Sequence, residues 1–195
     1  MAANRVFVQE SILPKFMEVL KEKMGVCKLG SGFDGTSTTG PLIHDRALKK
    51  VLEHVEDAKS KGAQVVLGGE ALEGNFMKPT ILTDMKASMR IAKEEIFGPV
   101  AALFPFKDEE QVINLANNVT VGLAGYIYTR DIGRVWRVAE KLEFGMVGVN
   151  TGIVSDSAAP FGGIKESGIG REGSKYGIEE YTILKSVTMG GMGLE

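Results

Sequence analysis

The sequence contains few of the residues from which disulfide frameworks and metal centres are built. Its 195 residues include one cysteine, Cys27, and two histidines, His44 and His54. A single cysteine excludes an intramolecular disulfide and is typical of a reducing compartment. One cysteine and two histidines are also too few for a His/Cys metal cluster. We therefore expect a cytoplasmic protein without a bound metal, or an organelle-matrix protein if a transit peptide lies upstream.

Charge of one sign and long apolar runs are scarce as well. The chain has 23 Lys and Arg residues against 25 Asp and Glu, a net charge of −2. This balance provides no electrostatic attraction for a nucleic acid or an anionic membrane, and we expect neither as a partner. No apolar run reaches the roughly 18 residues of a membrane span, and no signal-peptide pattern is visible. The apolar content of 44% suits a soluble domain with a full core.

What the sequence does contain is an alternation of short β-rich runs with longer helical patterns. The predicted strands cover residues 5–8, 64–67, 80–83, 100–106, 125–129 and 146–150. The predicted helices cover a segment capped by Ser11 and then about 44–61, 109–117 and 132–142, the last capped by Asp131. The first helix is expected to bury Ile12, Phe16, Val19 and Leu20. Such alternation implies right-handed βαβ units and predicts the α/β class, with a mainly parallel twisted sheet and flanking helices.

The run 181–188, YTILKSVT, stands apart from this pattern. It alternates partly between polar and apolar residues and follows a glycine-rich loop. An extended segment in this position needs a strand partner, because unpaired backbone groups at a sheet edge favour pairing. We predict an edge strand, with another subunit as one source of its partner.

The segment 160–176, PFGGIKESGIGREGSKY, is dense in glycine. Glycine loses the most conformational freedom on folding, so this density indicates a loop whose backbone must take positive φ or lie close to another group. Residues 168–173 also form a literal G-x-G-x-x-G. A dinucleotide-binding fingerprint would follow a strand and open a long helix, and neither is predicted here. We interpret the segment as a shaped loop.

Three other places carry chemical candidates, each with two interpretations. In residues 94–99, EEIFGP, Phe97 belongs either to the core or against a flat ligand ring, with one glutamate accepting bonds from ligand hydroxyls. The polar loop 150–157 follows a strand end, where α/β proteins bind ligands, but local backbone bonds would also explain its composition. Cys27 is either a nucleophile or a small buried hydrophobe, and we favour the second because no histidine lies nearby in sequence to activate it.

Three motifs together resemble the aldehyde dehydrogenase superfamily: EIFGP at 95–99, GVN at 148–150 and PFGGIKESGIGREG at 160–173. They occur in the family's order and cover nearly the whole chain. The segments GLAGY at 122–126, GMVGVNTG at 145–152 and GREGSKYGIEEY at 170–181 are most similar to the succinate-semialdehyde dehydrogenase branch. The resemblance implies the catalytic-domain portion of an enzyme in which a cysteine attacks the aldehyde, hydride passes to NAD or NADP, and water releases the acid.

The resemblance also implies roles for residues of this chain. Glu95 would bind the hydroxyls of the nicotinamide-side ribose, and Phe97 would hold the nicotinamide ring. Ser155 matches a serine that binds the distal carboxylate of a small semialdehyde substrate. The loop 160–173 would support the active site, and the run 181–188 would assemble a homo-oligomer.

The same resemblance implies that this chain holds no catalytic residue. In the family the nucleophilic cysteine lies five residues before the arginine that matches Arg5, which is one position before Met1. Cys27 lies well after that position, and the general base and the Rossmann domain lie further upstream in the family. We therefore expect a catalytic-type α/β domain over 1–178 without its nucleophile segment, followed by an oligomerisation strand and tail over 179–195.

Alone, such a chain is expected to bind no cofactor and to be inactive. Two other functions stay open. One is a non-catalytic assembly module that pairs with full-length subunits through 181–188, and the other is an independent enzyme that uses Cys27.

Overall fold

The computed structural model describes residues 3–191 and 193. Its contacts divide the chain into two compact units, with the boundary between Asn118 and Val119. Each unit has its own strands and helices. Among the described residues, no helix combines the length and the apolarity needed to cross a membrane.

The first unit contains four strands, which are β1 (Val6–Gln9), β2 (Gln64–Leu67), β3 (Thr80–Thr83) and β4 (Val100–Phe106). They form one sheet in the order β1-β4-β3-β2. β4 pairs in parallel with β1 and β3, whereas β2 pairs antiparallel with β3. The helices are α1 (Leu13–Gly25), α2 (Asp45–Ser60) and α3 (Glu109–Asn117). Short 3-10 turns occupy Glu10–Ile12, Glu73–Asn75 and Arg90–Ala92. The strands predicted for this unit are confirmed to within one residue.

The core of this unit lies on both faces of the sheet, because successive strand residues point to opposite sides. The larger cluster joins α2 to one face of β3 and β4, with Val51, Val55, Ala58, Leu82, Ala102 and Phe104 among its members. The smaller cluster joins Val8, Ile81 and Leu103 to α1 on the other face. Each fully buried aliphatic side chain contributes about 1.5–3 kcal/mol to folding. The two helices therefore hold the sheet from both sides.

The first helix differs from its prediction in its start and in its buried face. Ser11 lies in the 3-10 turn, and α1 begins at Leu13 without a side-chain N-cap. The residues that pack against the sheet are Leu13, Met17, Leu20 and Met24. The other predicted residues, Ile12, Phe16 and Val19, stay exposed. One residue rotates a helix by about 100°, so a stripe displaced by one position turns most of the predicted face toward solvent.

The second unit contains the short strands β5 (Val121–Gly122), β6 (Ala124–Ile127), β7 (Met146–Val149) and β8 (Ile164–Lys165). β6 and β7 pair in parallel, and β5 and β8 pair antiparallel. Between β6 and β7 in sequence lies α4 (Ile132–Lys141), which Asp131 caps as predicted by accepting a hydrogen bond from the Arg134 N–H at 3.1 Å.

The fold class is confirmed as α/β, and three of the five described strand pairs are parallel. The described strands form three sheets rather than the single sheet predicted. A parallel pair needs a long crossover, usually a helix. The connection from β2 to β3 contains only a 3-10 turn, and the strands therefore run antiparallel.

The C-terminal run forms no strand within the described chain. Gly177–Tyr181 is a 3-10 turn, so Tyr181 does not begin an extended segment as predicted. Residues 182–188 belong to no sheet of the structure, and Ile183 is 92% exposed. An edge strand that pairs with a second chain stays a prediction, as does the division of the chain at residues 178 and 179.

Gly98, just before β4, lies against the buried side of α2. A Cβ on Gly98 would lie 2.5 Å from Cγ2 of Val51, a fully buried side chain. We expect Gly98→Ala to lower the free energy of unfolding by about 1–3 kcal/mol, because the Val51 side chain has no free space to move into. Urea denaturation followed by circular dichroism measures the change.

Gly40→Ala is the matched control, since a Cβ there meets nothing within 4 Å. Val51→Ala removes the opposing methyl groups, so the double variant should lose less stability than the sum of the two single variants. Strictly additive losses, or an equal loss in Gly40→Ala, would contradict the overpacking explanation.

Candidate functional site

The turn 94–99 brings two of the predicted site residues together in front of β4. Ile96 enters the core and is 5% exposed, whereas Phe97 is 78% exposed. Phe97 takes φ +50°, in the left-handed region that bulky side chains rarely adopt. Glu95 is exposed as well. The core interpretation of Phe97 is therefore wrong, and the turn presents a carboxylate and an aromatic ring to solvent.

Side chains from two distant elements hold the backbone of this turn. The Lys50 ammonium on α2 donates a hydrogen bond to the carbonyl oxygen of Glu95 at 2.6 Å. The side-chain oxygen of Asn4, just before β1, accepts a hydrogen bond from the Ile96 N–H at 3.0 Å. A strained backbone persists only where its surroundings determine it. These two bonds and the buried Ile96 side chain provide that determination.

A buried histidine lies behind the same turn. His54 on α2 is fully buried, and its Nε2 lies 3.2 Å from Oε2 of Glu94. Arg90 also donates to both carboxylate oxygens of Glu94, at 3.2 and 3.1 Å. The guanidinium bond is the main reason why the pKa of Glu94 is lowered. Glu94 is thus tied to protein partners, which leaves the carboxylate of Glu95 as the one available to a ligand.

An open cleft of about 610 Å³ adjoins the turn. Its lining residues are Ile43, His44, Arg46, Ala47, Lys50, Ile96 and Phe97. An aromatic ring and aliphatic side chains provide an apolar wall, and two cationic side chains lie beside it. Such a lining suits a flat ring that is joined to polar or anionic groups.

The third predicted site residue, Ser155, is exposed in the loop that follows β7. This loop leaves the sheet at Asn150, whose side-chain amide accepts from the N–H of Thr129 and donates to its carbonyl, both at 2.9 Å. The two bonds continue the β6–β7 pairing by one residue and set the direction of the loop. The Asp156 carboxylate accepts from the Ala158 N–H at 2.8 Å, a bond that a plain surface loop would also make. A role for Ser155 stays a prediction.

The glycine-rich segment 160–173 is a shaped loop, as predicted, apart from the two-residue strand β8 within it. Phe161 and Glu172 exchange two backbone hydrogen bonds, at 2.8 and 2.7 Å. Nη1 of Arg171 donates to the carbonyl oxygens of Gly163 and Gly170, at 2.8 and 2.7 Å. The loop's arginine therefore satisfies the loop's own backbone, which is the arrangement of a structural segment.

Cys27 lies just beyond the carboxyl end of α1 and is partly exposed. Its N–H donates to the Met24 carbonyl at 3.1 Å. The carboxyl end of a helix carries partial negative charge, whereas reactive thiolates are found near helix amino ends or cations. This position does not favour a nucleophile, and the partial exposure of Cys27 does not match the expected small buried hydrophobe.

Sequence reasoning missed the two side chains that hold the turn, Asn4 and Lys50. Because an amide can both donate and accept, an Asn side chain can bond many kinds of group. A lone Asn before a strand is therefore only a weak signal for backbone binding. The partner of Asn4 is 92 positions away in sequence, and only folding brings the two together.

Comparison with known proteins gives concordant results. The sequence matches the aldehyde dehydrogenase family over residues 1–187. The glutarate-semialdehyde dehydrogenase of Pseudomonas putida is 56% identical over 183 residues, which are 94% of this chain and 38% of that protein. The NADP(+) succinate-semialdehyde dehydrogenase of Escherichia coli is 54% identical over 190 residues, which are 96% and 39% of the respective chains.

Comparison with solved structures leads to the same family as these two relatives. The crystal structure of succinate-semialdehyde dehydrogenase from Burkholderia pseudomallei matches with a TM-score of 0.90 at 51% identity, over 92% of this chain and 38% of that one. The chain thus spans about 38% of the length of the relatives that it matches. The family match covers the turn 94–99, the loop after β7 and the glycine-rich segment alike. The chain belongs to the aldehyde dehydrogenase family.

Proposed function

We propose that these residues form the C-terminal part of an NAD(P)-dependent enzyme that oxidises a small semialdehyde to a dicarboxylate. The observation that carries the proposal is the strained turn at Glu95–Phe97, which presents a carboxylate and an aromatic ring in a member of this family. The succinate and glutarate semialdehydes named for the relatives support the substrate class. We also propose a cytoplasmic location, since a single cysteine suits a reducing compartment.

The turn fits the nicotinamide end of a dinucleotide. An ionised carboxylate offers two acceptor oxygens, so Glu95 is suited to both hydroxyls of a ribose. The exposed ring of Phe97 offers an apolar face to a planar ring. When bound, NAD(P)+ supplies the acceptor for the hydride. The contribution of this chain is orientation, because a turn that is ordered in advance reduces the entropy lost on binding.

Ser155 is proposed to bind the far end of the substrate. Succinic and glutaric semialdehydes share an aldehyde at one end and a carboxylate at the other. A serine hydroxyl donates one hydrogen bond to such a carboxylate. The exposure of Ser155 and the fixed exit of its loop at Asn150 support this assignment.

We expect the 195-residue chain on its own to reduce no NADP+ in the presence of succinic semialdehyde. Its single thiol, Cys27, lies just beyond the carboxyl end of α1, well after the position at which the family resemblance places the nucleophile. The measurement is NADPH absorbance over time, with the Cys27→Ala variant as the control. Turnover that Cys27→Ala abolishes would contradict the proposal and favour an independent enzyme that uses this thiol.

The coding DNA upstream of Met1 provides the second part of this test. An in-frame segment of the Gly-Gln-x-Cys type would support a longer enzyme that supplies the nucleophile. A stop codon directly upstream would contradict the proposal and favour the assembly module.

Substitutions of Glu95 and of Ser155 should raise the KM values of the complete enzyme for different substrates. We expect Glu95→Gln to raise the KM for NAD(P)+ about tenfold, since one charged acceptor of the ribose is lost. Ser155→Ala should raise the KM for succinic semialdehyde about fivefold, since a single neutral donor is lost. Steady-state kinetics with each substrate varied in turn measures both effects.

Each variant is the control for the other. Butanal, which has no carboxylate, should show no change in KM with Ser155→Ala. An equal rise in both KM values for either variant would indicate a general disturbance of the active site and would contradict the assigned roles.

We further propose that residues 181–188 pair with the same segment or with a sheet edge of a second copy. The segment exposes Ile183 and Val187, and it belongs to no sheet of the described chain. In an extended conformation these two residues would face one side, with Lys185 between them, and the exposed Leu184 would face the other. Exposed apolar side chains on a segment without a strand partner suit β-augmentation. The same pairing with a full-length homologue would serve the alternative function of an assembly module.

We expect the double variant Ile183→Lys/Val187→Lys to lose the oligomer, because two charges would have to be buried in the interface. Size-exclusion chromatography with light scattering measures the mass. Thr182→Lys/Ser186→Lys adds the same charge on the alternate side of the segment and should leave the oligomer intact. If the Ile183 and Val187 substitutions also leave it intact, the edge-strand proposal is wrong.

A further inference from the structure

We propose that Asn4 is a positioning residue for the turn at Glu95–Phe97, which it holds in the conformation that receives the dinucleotide. This inference rests on the function proposed above, in which that turn binds the nicotinamide end of the cofactor. Asn4 itself touches neither the exposed ring nor the exposed carboxylate, and it acts through the backbone between them.

The side-chain amide of Asn4 binds three backbone groups around the turn. Its oxygen accepts from the Ile96 N–H at 3.0 Å. Its nitrogen donates to the carbonyl oxygens of Ile91 at 2.7 Å and of Glu94 at 3.1 Å. Both amide hydrogens and one acceptor site are therefore used. Among short side chains, only an asparagine amide provides two donors and an acceptor without a charge.

The segment that carries Asn4 is itself fixed to the first unit. The guanidinium of the next residue, Arg5, donates to the carbonyl oxygens of Leu115 and Ala116, both at 2.8 Å, at the carboxyl end of α3. It also lies 5.2 Å from the ring centre of Phe7 on β1. Burial lowers the pKa of Arg5, yet a guanidinium stays protonated at neutral pH. Asn4 therefore reaches the turn from a rigid base.

The bond to Ile96 is placed where it determines the conformation of Phe97. Ile96 precedes Phe97, whose φ of +50° is costly for a bulky residue and persists only where neighbours hold the backbone. Lys50 binds the carbonyl of Glu95 from the α2 side, and Asn4 binds the N–H of Ile96 from the β1 side. Both bonds hold the peptide that joins Glu95 to Ile96, and loss of the second lets this peptide rotate. The ring and the carboxylate then no longer keep one relative position.

A positioning role predicts two effects of Asn4→Ala that differ in kind. The Ile96 amide should exchange with solvent about tenfold faster, because its acceptor is lost. In the complete enzyme the KM for NAD(P)+ should rise about tenfold while kcat changes less than twofold. Without Asn4 the turn has to be ordered when the cofactor binds, which lowers the affinity for NAD(P)+. The groups at the reacting centre are unchanged, so kcat is nearly constant.

The first measurement is amide hydrogen exchange on the 195-residue chain, which needs no cofactor. The Leu82 amide in β3 is the internal reference and should exchange at the same rate in both proteins. Gln9→Ala is the matched control variant, since Gln9 also donates a side-chain amide bond to a carbonyl, that of Lys107 at 3.1 Å, from the other end of β1. Should Asn4→Ala fail to fold, Asn4→Leu, which has a similar size but neither donor nor acceptor, replaces it with the same expectations.

The second measurement is the KM for NAD(P)+ in the complete enzyme. Together with the exchange rates it separates this inference from the proposed function. If the Ile96 amide exchanges no faster in the Asn4 variant than in Gln9→Ala, Asn4 does not hold the turn and the inference is overturned. The same conclusion follows if exchange rises and the KM for NAD(P)+ stays constant while Glu95→Gln still raises it. If neither Asn4→Ala nor Glu95→Gln changes that KM, the proposed cofactor role of the turn itself fails. Faster exchange together with a raised KM and a constant kcat supports both.

Discussion

The packing of α2 against β3 and β4 is the constraint on which the first unit depends. The buried face of this helix places Val51 against Gly98, and His54 against the carboxylate of Glu94. The neighbouring Lys50 reaches the carbonyl of Glu95. Because protein interiors are close-packed, a displacement of α2 would move all three contacts together. The candidate site is therefore held by the same burial that stabilises the fold.

Two adjacent glutamates show how this packing divides similar side chains between different roles. Glu94 is bound by His54 and Arg90, and the guanidinium bond lowers its pKa. Glu95 has only its backbone carbonyl held, by Lys50, and its carboxylate stays exposed. A carboxylate that is already paired gains little from a ligand hydroxyl, whereas an unpaired one on a fixed backbone gains more. The environment of each glutamate, and not its chemistry, makes the difference.

Each of the two loops that carry proposed ligand contacts is held by an asparagine side chain that binds backbone. Asn4 joins the start of β1 to the turn before β4, and Asn150 joins the end of β7 to Thr129 after β6. In each case one neutral amide replaces hydrogen bonds that regular pairing no longer provides. Such contacts leave the loop outside the sheet but restrict its direction. This is how short strands can present polar loops without lengthening the sheet.

Much of the fold followed from local patterns. The strands of the first unit and the helices α3 and α4 were predicted closely, because alternation, apolar spacing and the capping residue Asp131 act within a few positions. The buried face of α1 was misplaced, since its start is set by a 3-10 turn and by contact with the sheet rather than by Ser11. The pairing of β2 and the assignment of strands to three sheets were also beyond local reasoning.

The same distinction holds for the candidate site. The motifs by themselves determined the family and singled out Glu95, Phe97 and Ser155, because the identities of a few residues in order are a property of the chain alone. Only the tertiary structure decided that Ile96 and not Phe97 enters the core, and that Asn4 and Lys50 hold the turn between them. Those contacts join residues that are tens of positions apart. Their partners are selected by the packing of α2 and β1 around β4, which no local pattern specifies.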